Sequence, residues 1–122
     1  MSPARFAACA LALPDAVAGG HQGHPDFRVA GRVFATLHPD GATAMVRVPP
    51  AVQQRLVGTP GVAPATGAWG RAGCTLLALD AVDEAFARMA LLEAWQAAVA
   101  AARPGGKGSR GGSGRTAKRR QR

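Results

Sequence analysis

Between Asp26 and Val48 apolar and polar residues alternate with a period of two, interrupted by Gly and Pro. That alternation is the mark of half-buried strands with punctuating turns. Phe27 and Val29 flank Arg28, Ala30-Gly31 supplies a tight turn, and Val33, Ala35 and Leu37 then alternate with Arg32, Phe34 and Thr36. His38-Pro39-Asp40-Gly41 places Pro at the second turn position and Gly at the fourth. Ala44, Val46 and Val48, alternating with Met45 and Arg47, follow as a third strand. The pattern predicts an antiparallel meander.

Helical spacing governs the rest. Phe6, Cys9, Ala10 and Leu13 fall at i, i+3, i+4 and i+7, one apolar stripe that stops at Pro14. Pro50 suits the first turn of a short helix in which Val52 and Leu56 face the sheet before Gly58 ends it. Residues 58–68 read as a Gly/Pro/Thr-rich loop, followed by Trp69-Gly70-Arg71-Ala72-Gly73 as a shaped turn and a strand from Cys74 to Leu79. Asp80 is placed to cap a long helix with Asp83 and Glu84 in its first turn, its inner stripe formed by Val82, Phe86, Met89, Leu92, Trp95 and Val99. The expected core is Phe27, Val29, Val33, Leu37, Val46, Leu77, Leu79, Phe86, Met89 and Trp95. No internal repeat is present. The fold class is α/β of the α+β kind: an antiparallel sheet with helices packed on one face.

Length and charge divide the chain in two. Its 122 residues suffice for one domain, and the 15 Lys+Arg outnumber the 7 Asp+Glu. All of that excess lies in 103–122, which carries eight cations, no acid and no large apolar residue, and is expected to be disordered. Residues 1–102 are formally neutral. Two isolated cysteines, Cys9 and Cys74, suit a reducing compartment, so a cytoplasmic location is expected. Arg5, the run Phe6–Leu13 and Ala16-Val17-Ala18 imitate a short signal peptide, but Pro14-Asp15 interrupts the run and the helical stripe accounts for it better. No apolar run approaches a membrane span. The Ala/Gly/Arg-rich style suggests a bacterium with GC-rich DNA.

Catalytic chemistry finds little purchase. Ser2, Ser109 and Ser113 lie near the termini, and Cys9 sits on an apolar stripe. Cys74 would need His24 or His38 beside it to become a nucleophile. His21, His24 and Asp26, with His38 at the far end of the next strand, are metal-ligating types, yet they match no defined ligand set, and His24 and Asp26 more simply organise the turn before the hairpin. Gly106-Lys107-Gly108-Ser109 lacks the spacing of a phosphate-binding loop. The expectation is therefore no enzyme, no metal and no cofactor.

Three phrases, GHPDFRVAGRVFATLHPDG, PPAVQQRL and PATGAWGRAGCTLLALDAVDE, occur in the order and nearly the spacing of a known family. From about Phe6 to Ala98 the chain resembles the MmcQ/YjbR family. That resemblance implies a frataxin-like two-layer sandwich and DNA binding through protruding hairpins likened to a double wing. The strand after GAWGR departs from the family, with Cys74, Leu76 and Ala78 where relatives often carry an aromatic residue and Arg. The nucleic-acid-binding candidates are Arg28, Arg32, Arg47 and Arg71 on or beside strands, expected to share one face. Lys107, Arg110, Arg115, Lys118, Arg119, Arg120 and Arg122 of the tail join them, with low sequence specificity. The alternative is a protein-interaction or small-ligand module, in which an apolar row of Cys74, Leu76 and Ala78 meets a partner or a second copy.

Overall fold

Six antiparallel strands make a single sheet of order β1-β2-β3-β4-β6-β5 in the computed structural model, which describes residues 1–21 and 24–102. The chain runs α1 (Pro3–Leu11), β1 (Val17–His21), β2 (His24–Val29), β3 (Arg32–Leu37), β4 (Thr43–Arg47), α2 (Pro50–Leu56), β5 (Val62–Pro64), α3 (Gly67–Arg71), β6 (Cys74–Ala78) and α4 (Glu84–Ala102). The α+β class and the meander are as the sequence predicts. The tail, 103–122, lies outside the described residues. Among the described residues no helix is long and apolar enough to cross a membrane.

Local chemistry explains the turns. Ala30 and Gly31 both take positive φ, 53° and 76°, the arrangement a two-residue hairpin needs to match strand twist. In the β3–β4 turn the Gly41 N–H donates to His38 O, and the Asp40 carboxylate accepts the N–H groups of Ala42 and Thr43. Those bonds hold the Asp40 carboxyl below its ordinary range. Ser2 caps α1 by accepting the Arg5 N–H.

The apolar stripe of α1 is buried, and Phe6 meets Phe27 edge to face at 6.2 Å. The run that imitates a signal peptide is thus part of the core. Phe6, Phe27, Val46, Leu77, Leu79 and Leu91 join one cluster between the sheet and α1, α4 and α2.

Five expectations need correction. Phe34, assigned to the polar side, is fully buried, while Val33 is only half-buried and faces away from the helices. The register explains it: Phe27 lies opposite Ala35 but Arg28 opposite Val33, so Phe34 is an extra residue in β3 that reverses its phase. Along α4 the buried stripe is Ala87, Ala90, Leu91, Ala94 and Ala98. Met89 and Leu92 are exposed, and Phe86, Trp95 and Val99 are half-buried flanks. Small side chains let this helix lie close on the sheet, and the larger ones straddle the contact. Asp83, not Asp80, caps α4, its Oδ1 accepting the Phe86 N–H at 2.8 Å. Two strands lie where none was expected: Val17–His21 pairs with β2, and Val62–Pro64, within the segment read as a loop, pairs with β6. GAWGR is one turn of helix rather than a simple turn.

Candidate nucleic-acid interface

Strand directions decide where the arginines stand. In an antiparallel sheet the end of each strand meets the beginning of the next, and partners opposite one another share a face. Arg28 is the penultimate residue of β2 and Arg32 the first of β3. Arg47 ends β4 and pairs with Cys74, the first residue of β6, while Arg71 ends α3 just before that strand. All four therefore lie at one end of the sheet.

They do not share one face, which corrects the sequence reading. Arg28 pairs with Val33, and Arg47 with Cys74, on the side open to solvent. Arg32 pairs with Val29 on the helix side, because the extra residue Phe34 shifts the phase of β3. Arg32 and Arg47 nonetheless meet around a cleft of about 460 Å³ at the sheet's end. Its walls are Val48, Ala72 and the last turns of α4, at Ala97, Ala98 and Ala101. Arg32, on the helix side, thus stands near the carbonyl end of a 19-residue helix, where the dipole favours positive charge.

Their availability differs. Arg28 is held by Asp26 in a bidentate pair, Nε to Oδ1 at 2.8 Å and Nη2 to Oδ2 at 2.9 Å, which raises its pKa above the ordinary value. The pair lies over Gly19, where a Cβ would fall 2.9 Å from Asp26 Oδ1. Among the described residues, Arg32, Arg47 and Arg71 make no salt bridge. The chain leaves α4 at Ala102, one residue beyond the cleft wall, so the eight tail cations are tethered at this end. Lys107, Arg110, Arg115, Lys118, Arg119, Arg120 and Arg122 themselves lie outside the described residues.

Four of the seven acids lie at the opposite end. Asp40 occupies the β3–β4 turn, Asp80 follows β6, and Asp83 and Glu84 begin α4. There Glu84 accepts hydrogen bonds from Arg5, at 2.6 and 2.8 Å, and from Arg88 at 3.0 Å, and its pKa falls from 4.5 to about 2. The formal neutrality of residues 1–102 is the sum of two unlike ends. A count of charges along the sequence could not show this, because it depends on the direction of each strand.

Other candidates separate. His24 pairs with His21 at the start of β2, Asp26 is committed to Arg28, and His38 lies beyond β3. Among the described residues no three His, Cys, Asp or Glu side chains gather into a metal-holding group. Cys74 is 3% exposed, so it presents nothing to a partner, while Leu76 and Ala78 on the open face are half-buried. Sequence reasoning missed Gln53, a buried amide whose Nε2 donates to Gly70 O at 2.9 Å and Cys74 O at 3.1 Å. Its polar character within PPAVQQRL was the available signal.

Residues 11–97 match the sequence profile of the YjbR family. A crystal structure of a protein from Pseudomonas syringae, a structural-genomics target, superposes with a TM-score of 0.66 at 15% identity. The match covers 80% of this chain and 99% of that one, and at such identity what is shared is the fold. No curated protein matches the sequence significantly.

Proposed function

We propose, from the premise that this chain belongs to the YjbR family, that it is a non-enzymatic DNA-binding protein of low sequence specificity, working in the cytoplasm through its basic end. The observation that carries the reading is the convergence of Arg32, Arg47 and Arg71, none salt-bridged among the described residues, on the end of the sheet from which the cationic tail departs. A polyanion is bound mainly by phosphate contacts and the counterions they release, and such contacts read no sequence. The β2–β3 turn and the end of β4 supply guanidinium groups on a fixed backbone, and the tail supplies eight tethered cations. Arg28 contributes least, since a phosphate must first displace Asp26.

A salt titration of duplex DNA binding tests this. Deleting 103–122 is expected to weaken binding at low salt by at least tenfold, about 1.4 kcal/mol, and to flatten the salt dependence. Arg32→Ala with Arg47→Ala in the full chain is expected to lower the slope by about one unit per residue. Absence of binding by the full chain at low salt would overturn the reading. It would favour instead a protein-interaction role for the open face of the sheet, where Met45 and Leu76 lie side by side and half-buried.

A further inference from the structure

We propose that Trp69 is a stacking platform for an unpaired base, so that single-stranded nucleic acid is the preferred ligand of the basic end; the proposal rests on the nucleic-acid reading above. At 67% exposure Trp69 is the most exposed of the large apolar side chains described. No hydrogen bond engages its indole N–H among the described residues. The chain's other tryptophan is the contrast: Trp95 packs against the core and its Nε1–H donates to Pro14 O at 2.9 Å.

An exposed tryptophan on a loose loop would mean little, but this one is held firmly. It sits on α3, a single turn too short to persist on its own. The turn is fixed by close backbone approach in and just after its C-terminal half: a Cβ on Gly70 would fall 1.8 Å from Ala65 O, and one on Gly73 would fall 1.8 Å from Val48 O. Gln53, one of two buried polar residues described, directs its amide to the carbonyls of Gly70 and Cys74. A buried amide and two glycines without room for a side chain thus brace a turn whose largest side chain faces water.

The neighbours say what kind of partner fits. Ala72, three residues on and so on the same side of the turn as Trp69, helps line the cleft shared by Arg32 and Arg47, while Arg71, two residues on, projects to a different side. An exposed indole on the turn that borders this arginine-lined cleft complements a ligand with alternating flat rings and negative charges. In a duplex the base faces are covered by their neighbours, whereas a single strand offers them, and stacking accepts any base.

The test uses the full chain with two labelled probes, an oligo-dT of about 20 nucleotides and a duplex of about 20 base pairs, near 0.15 M salt. Trp69→Ala is expected to weaken oligo-dT binding about tenfold, to change duplex binding less than about twofold, and to leave the salt slope unaltered because no charge is removed. Trp69→Phe is expected to retain most of the single-strand affinity, and thermal unfolding of both variants should match the parent. Unchanged oligo-dT binding by Trp69→Ala, whether or not self-association changes, would overturn the stacking role and leave the phosphate reading intact. Equal losses on both probes would overturn the single-strand preference. Failure of the parent protein to bind either probe at low salt would remove both readings.

Discussion

Glu84 holds two guanidinium groups at once, Arg5 from α1 and Arg88 from one turn further along α4. Its carboxyl is lowered from 4.5 to about 2, first by the hydrogen bond from Arg5 and then by that from Arg88. A carboxyl depressed on folding contributes stability above its unfolded pKa and loses it as pH falls through the folded one. The difference in stability between the parent and Glu84→Gln is therefore expected to be constant above pH 4.5 and to close as pH approaches 2. Denaturant unfolding at several pH values checks this, and a gap that persists at pH 2 would refute it. At this scale the turn residues were legible: Gly31 and Pro39-Asp40-Gly41 adopt the conformations their chemistry favours, while Ala30 takes a positive φ against its own preference because the two-residue hairpin requires it. The partners were not. That Arg28 folds back onto Asp26, or that Gln53 reaches two carbonyls far along the chain, depends on neighbours that spacing alone does not bring together.

Elements show where pattern and packing part. The period of α4 was legible but its phase was not, since hydrophobic size pointed to Phe86, Met89 and Trp95 while the close contact belongs to Ala87, Ala90, Ala94 and Ala98. Alanine can mark a seam as well as a surface. In β3 one extra residue moved Phe34 inward and Arg32 to the helix side, a change invisible to strict alternation. Phe34→Ala is accordingly expected to cost about 3–5 kcal/mol in denaturant unfolding, and Met89→Ala less than about 1 kcal/mol. Comparable losses for the two would mean that the phases assigned to β3 and α4 are wrong. The β2–β3 hairpin and the strand from Cys74, by contrast, followed from alternation and turn residues together, which is why the sheet itself was foreseeable.

Across the whole molecule, charge is arranged by topology. The arginines are dispersed in sequence from Arg28 to Arg71, yet alternating strand directions return them to one end and deliver Asp40, Asp80, Asp83 and Glu84 to the other. Amide resonances followed on addition of duplex DNA are expected to shift around Arg32, Arg47, Arg71 and Ala97–Ala102, and to stay unmoved around Asp40 and Glu84. Shifts centred on the acidic end would contradict the proposed interface. The margins of the sheet carry a different consequence. One edge strand, β1, contains Gly20 at φ +107°, and the other, β5, is three residues long and ends in Pro64, which has no N–H to offer. Neither border makes a good template for another chain's backbone. The sheet is closed to growth by its own copies, so a concentrated solution of the protein has no edge from which to seed a fibril.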